Sequence, residues 1–268
     1  PEAWFRVGEY HEAKEEPAKA EAAFAAGLKI AKTPELGERL SYKLGWALYE
    51  QEKWVPAATA LQAHVTKFAK GTLIADASFL AGECYHKAGD FTKALPHYKR
   101  VIDLKSERYV ARALYRSGDS AAALKNWPVS GTFYDTLITQ FPKFEQVDEA
   151  RYGYAWALQN QNQLDPALAV LAAIPKGRNT ETAAKACFMM GECRFAQKKY
   201  SDAIVHFVEV VEGYSFPEWK ALSLFELGRC FVQLDQKDQA RETLAQLVKE
   251  HPTHARAKDA TALLASLK

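Results

Sequence analysis

The 268-residue chain carries 35 lysines and arginines against 33 aspartates and glutamates, and this formal net charge of +2 gives it no global pull toward nucleic acid or acidic lipid. Its longest plain apolar run, Ala167 to Ile174, is less than half the roughly eighteen residues a membrane span needs, so no stretch here reads as a transmembrane helix. The chain opens on Pro1 and its only methionines are Met189 and Met190, so it reads as a processed product or a piece of a longer protein, with any upstream signal or anchor out of sight.

From the N terminus, one pattern recurs. Gly8 is followed twelve residues later by Ala20, and four residues after that by Phe24. The same triplet returns as Gly45, Ala57, Leu61; Gly82, Ala94, Tyr98; Gly118, Ser130, Tyr134; Ala155, Ala167, Leu171; Gly191, Ala203, Phe207; and Gly228, Ala240, Leu244, at intervals of 36 or 37 residues. Small residues let two helices approach closely, and the large apolar residue one helical turn further on fills the space beside them. Short polar segments such as Gln51-Glu52-Lys53 and Lys87-Ala88-Gly89-Asp90 read as the turns joining the two helices of a pair. A unit of this length cannot bury its own apolar face, so the copies must stack. The expected units are about 1–36, 37–73, 74–109, 110–146, 147–182, 183–219 and 220–254, one all-α solenoid over 1–268. After Pro252, the apolar positions Ala260, Leu263, Leu264 and Leu267 at i, i+3, i+4, i+7 predict a capping helix over about 255–267.

Three of the four cysteines, Cys84, Cys193 and Cys230, lie two residues after the glycine of their unit, where Ala47 and Ala157 stand in other copies. They read as buried packing thiols, as does Cys187, because no CxxC or histidine-rich ligand set accompanies them. His251 and His254, in the sequence His-Pro-Thr-His, flank a proline without a third ligand nearby and read as a solvated turn. There is no P-loop, GxGxxG, GxSxG or HExxH. The chain is therefore expected to be no enzyme and to need no metal or cofactor.

Trp4, Val7, Gly8, Ala20 and Phe24 in the first copy, Ala81-Gly82 with Tyr85, Ala94 and Tyr98 in the third, and Met190-Gly191 with Ala203 and Phe207 in the sixth resemble the tetratricopeptide repeat (TPR) family. The closing proline of that pattern is present only at Pro142 and Pro252, the fourth copy has Ser117-Gly118 for Leu-Gly, and the period exceeds the family's usual 34. The resemblance implies a right-handed superhelix of seven helix pairs whose first helices line a concave groove. From Phe188 through Leu267 the cadence is similar to TPR arrays of bacterial cell-envelope proteins, which favours the envelope, whereas four unpaired thiols favour a reducing cytoplasm.

By the same resemblance, ligand-facing positions fall on Tyr42, Trp46, Tyr49, Phe79, Glu83, Tyr115, Asp119, Tyr152 and Trp156. One of these positions is aromatic in every copy (Phe5, Tyr42, Phe79, Tyr115, Tyr152, Phe188, Phe225), and much of that ladder is expected to pack within the repeats. Trp46, Tyr49 and Trp156 share its face. Aromatics interleaved with acids suit a partner segment that is basic or contains proline. The expected function is a non-catalytic scaffold for another protein. The alternative is a glycan-binding or glycan-cleaving superstructure using Glu83 and Asp119 as paired carboxylates. Equivalent residues of neighbouring pairs stand on the order of 10 Å apart or more, beyond the roughly 5–9.5 Å that such carboxylates need.

Overall fold

A computed structural model describes residues 1–175, 177 and 179–267. Among them are fifteen helices and no strand. The chain divides into two compact units, Pro1–Phe141 and Pro142–Lys268. The first unit holds α1 (Glu2–Ala13), α2 (Pro17–Lys29), α3 (Pro34–Glu50), α4 (Trp54–Lys67), α5 (Ile74–Lys87), α6 (Phe91–Asp103), α7 (Val110–Ala123) and α8 (Trp127–Gln140). The second holds α9 (Val147–Asn160), α10 (Leu164–Ala172), α11 (Glu181–Ala196), α12 (Tyr200–Gly213), α13 (Pro217–Gln233), α14 (Lys237–Glu250) and α15 (Ala255–Ser266). These are the seven expected pairs and the cap. No helix among the described residues is long and apolar enough to cross a membrane.

Each pair turns in the same way. One residue of the turn is left-handed: Glu15, Glu52, Gly89, Lys125, Asn162, Lys198 and Asp235, with φ from 54° to 76°. The following N–H reaches back to a carbonyl of the last helical turn, as Glu16 to His11, Asp90 to Tyr85 and Lys199 to Arg194, each at 2.9 Å. That closure satisfies carbonyls the helix end leaves open. It offsets the roughly 1–2 kcal/mol that a non-glycine residue loses in this conformation. Only Gly89 and Asn162 advertise such a turn in the sequence.

The small residues sit where they are sterically required. A Cβ on Gly82 would lie 2.6 Å from the Tyr98 ring, and one on Gly191 would lie 2.5 Å from Phe207. In the fifth pair, where Leu171 fills the place that Leu61 and Leu244 fill in the second and seventh, Ala155 replaces the glycine and is accommodated with no exposure. Ser130 substitutes for alanine in the fourth pair at no polar cost, because its hydroxyl donates to the Gly118 carbonyl at 2.9 Å. At the C terminus α15 buries Ala260 completely against Leu224, Leu244 and Leu247, with Leu263 and Leu264 half-buried beside them. The Arg241 guanidinium donates to the Leu267 carbonyl at 2.5 and 3.1 Å, closing that helix end.

None of the four cysteines is in a disulfide, and all four are buried. Burial pushes the Cys84, Cys193 and Cys230 thiols up to about 12, 11 and 12. With the thiolate fraction of these three suppressed and all four side chains buried, a thiol-reactive chromogen at neutral pH is expected to react with none of the four in native protein and all four after denaturation. Fast native labelling of two or more would contradict this packing.

Candidate functional site

The first helices of pairs two and three, with the loop before α7, enclose a concave pocket of about 620 Å³ in the first unit. Tyr42, Trp46 and Tyr49 line it from α3, Asp76, Phe79, Leu80 and Glu83 from α5, and Arg108, Tyr109 and Arg112 close the far side. The i, i+4, i+7 spacing of the α3 aromatics puts them on one helix face. Trp46 and Tyr49 stack at 5.8 Å with 29° between planes, and Tyr49 meets Trp54 edge-on at 5.2 Å. Opposite, Phe79 and Tyr109 stack at 4.7 Å and 15°. The result is two aromatic walls around an open space.

The lining carboxylates are already paired within the protein. Glu12 meets Lys43 at 2.6 Å, and Asp76 accepts from Arg108 at 3.1 Å and from the Tyr109 hydroxyl at 2.8 Å. Burial, with Asp76 beside it, pushes the Tyr109 hydroxyl up to about 12, so it is held as a donor. Glu83 accepts from the Tyr98 hydroxyl at 2.5 Å and from Arg116 at 3.0 and 3.3 Å. Arg116 continues to Asp119 at 3.6 Å, which accepts from Tyr134 at 2.6 Å. This chain, Tyr98–Glu83–Arg116–Asp119–Tyr134, ties α5 and α6 to α7 and α8. Burial raises the Asp119 carboxyl although Tyr134 and Arg116 oppose it. Both carboxylates serve structure as well as surface charge, an arrangement that does not resemble a general acid facing a base across a sugar.

Of the nine sequence-predicted residues, Tyr42, Trp46, Tyr49, Phe79 and Glu83 line this pocket. Tyr115 and Asp119, in the same unit, both turn to Tyr134, Tyr115 with ring centroids 6.0 Å apart. Tyr152 and Trp156 lie on α9 of the second unit, Tyr152 half-buried and Trp156 41% exposed. The aromatic ladder is largely packing, as expected: Phe5 meets Phe24, Phe79 meets Tyr98 and Phe188 meets Phe207, at 5.9, 5.9 and 5.5 Å. Sequence reasoning missed Arg108 and Tyr109 on the far side. It also missed the tyrosine partners of the acids, for which a signal exists: among the seven copies the large residue is tyrosine only at 98 and 134, in the units with Glu83 and Asp119.

One histidine site differs from expectation, and a second is unusual in its burial. His254 is not solvated: its Nδ1 accepts the Arg256 N–H at 3.1 Å as the cap of α15, and its Nε2 lies 3.2 Å from Glu218. Behind Tyr42, His64 is fully buried with neither ring nitrogen hydrogen-bonded. Burial lowers its pKa below the ordinary value, and likewise those of His86 and His97. Between the folded and unfolded pKa values the unfolded chain holds more protons, so stability is complete above about pH 6.5 and falls as the pH drops through that window. Denaturant titration at pH 5 and pH 8 is expected to show this loss. His64→Leu, which also removes an unsatisfied buried ring, is expected to lessen the loss and raise the midpoint at pH 8, and an unchanged loss would remove His64 from the account.

Family profiles described as tetratricopeptide repeat match residues 42–109, 112–143 and 194–264. No curated protein sequence matches the chain. Among solved structures, it is similar to the C-terminal part of a TPR repeat-containing protein from Cytophaga hutchinsonii, with a TM-score of 0.72 and 13% identity, over 96% of this chain and 98% of that one. A tetratricopeptide repeat protein from Parabacteroides merdae gives 0.58 and 16%, over 99% and 98%. YrrB, described as a TPR protein with an unusual peptide-binding site, gives 0.57 and 17%, over 76% and 99%. At these identities the likeness is one of fold.

Proposed function

Because the chain belongs to the tetratricopeptide repeat family, we propose that it is a non-catalytic scaffold that holds a segment of a partner protein in the pocket between α3 and α5. The observation that carries this reading is the pair of facing aromatic walls, Tyr42, Trp46 and Tyr49 against Phe79 and Tyr109, around about 620 Å³ of open space. Rigid aromatic surface supplies most of the energy at peptide interfaces and loses little entropy on binding. The partner segment is basic or contains proline. A proline ring or an alkylammonium stem fits between aromatic faces, as the protein's own Lys87 does over Trp54 at 4.8 Å. An incoming cation competes with Arg108, Lys43 and Arg116 for Asp76, Glu12 and Glu83 rather than meeting bare charge, so salt dependence is modest. Tyr115 and Asp119 extend the proposed surface in the first unit, and Tyr152 with Trp156 forms its counterpart in the second. Selection from a random peptide-display library on the full chain tests the reading. Enriched peptides should carry lysine, arginine or proline and compete with one another for one site. Selection without enrichment, or of acidic sequences, would overturn it.

A further inference from the structure

In the sixth pair, Cys187 of α11 faces His206 and Glu209 of α12, and one ligand atom of each lies within 4.8 Å of the others. We propose that these three side chains form a binding site for a single zinc-class divalent metal ion. His206 and Glu209 are spaced i, i+3 and therefore share one face of α12. The antiparallel neighbour α11 presents the thiol to that face. Its Sγ lies 3.3 Å from the His206 backbone carbonyl, which fixes its rotamer toward the histidine. One thiolate, one imidazole and one carboxylate make a borderline-soft donor set, the kind that selects zinc over magnesium or calcium. In a tetrahedral site with bonds of about 2.0–2.3 Å the ligand atoms stand roughly 3.5 Å apart, so a closure of about 1 Å by side-chain rotation completes it. Three protein ligands leave the fourth position for water or an incoming donor.

The repeat itself argues that this cluster is not a packing accident. At the place of Cys187 the other copies have Trp4, Ser41, Ser78, Leu114, Arg151 and Leu224. Opposite His206 they have Ala23, Ala60, His97, Phe133, Val170 and Thr243, and at Glu209 they have Ala26, Ala63, Arg100, Thr136, Ala173 and Gln246. Small or apolar residues therefore suffice for the fold at the histidine and glutamate positions. The third copy, which also has histidine, sets Arg100 where the sixth has a carboxylate. Cys187 is buried while His206 and Glu209 are half-buried, so the cluster opens to solvent on the α12 side. On binding, the thiol proton leaves to solvent and the sulfur bonds the metal, so affinity rises with pH.

Titration of the full chain with Co²⁺ alone, followed optically, and with Zn²⁺ alone, followed by calorimetry, tests the site. One equivalent should bind, with a sulfur-to-cobalt charge-transfer band that Zn²⁺ abolishes. Cys187→Ser, His206→Gln and Glu209→Gln should each weaken binding at least about tenfold, whereas Cys193→Ser on the same helix should not. Zn²⁺ should raise the thermal midpoint of the parent chain but not of His206→Gln. Should Cys187→Ser fail to fold, the two α12 variants, whose side chains are half-buried, decide the matter. Absence of the charge-transfer band, or binding that survives both His206→Gln and Glu209→Gln, would overturn the proposal.

Discussion

Trp46→Ala is expected to weaken binding of a pocket-selected peptide by about 2 kcal/mol or more, roughly thirtyfold in Kd. The indole forms one wall of the pocket and is held there by its stack on Tyr49, itself braced edge-on by Trp54. Removing it deletes contact area and also frees the Tyr49 ring that it orders. Because Trp46 is half-buried rather than part of the fully excluded core, the fold should survive, and an unchanged helical spectrum would establish that. Trp46→Phe should recover most of the affinity, since a ring face is what the ligand needs. Trp156→Ala is the matched comparison in the second unit. If peptides bind both tryptophan variants as tightly as the parent chain, the ligand surface lies elsewhere on the protein.

Phe207→Ala is expected to cost about 3–5 kcal/mol of folding stability, read as a shift in the denaturant midpoint. Phe207 is fully buried, touches Phe188 at 5.5 Å between ring centroids and lies directly over Gly191. Truncation leaves a cavity between two helices that cannot collapse without moving the backbone. The reciprocal change, Gly191→Ala, places a methyl group 2.5 Å from the same ring and should destabilise by overpacking, by about 1–3 kcal/mol. The fifth pair, with Ala155 and Leu171 both fully buried, shows that alanine and leucine together are compatible with the fold at these two positions. Gly191→Ala combined with Phe207→Leu should therefore be less harmful than the sum of the single changes, a coupling that a double-mutant cycle measures. Strict additivity would mean that the glycine and the ring are not packing partners.

Most of the fold was legible because its determinants are local. The small residue, the second small residue twelve positions on and the large residue four further on act within one helix pair, and helical periodicity converts those spacings directly into contacts. The capping helix was legible for the same reason, from Ala260, Leu263, Leu264 and Leu267. Three of the buried thiols, Cys84, Cys193 and Cys230, followed from the slot they share with Ala47 and Ala157. What local pattern hid was the turn geometry. Glu15, Glu52, Lys125, Lys198 and Asp235 are left-handed without the glycine that marks such positions, because the pairs on either side impose the conformation.

The candidate site was legible only in part. Periodicity put Tyr42, Trp46, Tyr49, Phe79 and Glu83 on one face, but could not distinguish a ring that lines a pocket from one that packs on its own second helix, as Tyr115 does on Tyr134. It counted Glu83 and Asp119 as available charge, whereas Arg116, Tyr98 and Tyr134 engage them across separations of 33 and 15 residues. By itself, the sequence determined the repeat, the helices, the cap and the face that the first helices share, since each depends on spacing along one or two neighbouring helices. Only the tertiary structure decided which carboxylates are paired, which aromatics enclose open space, and that Cys187 meets His206 and Glu209, because these depend on the approach of side chains from different helices, which no periodicity along the chain encodes.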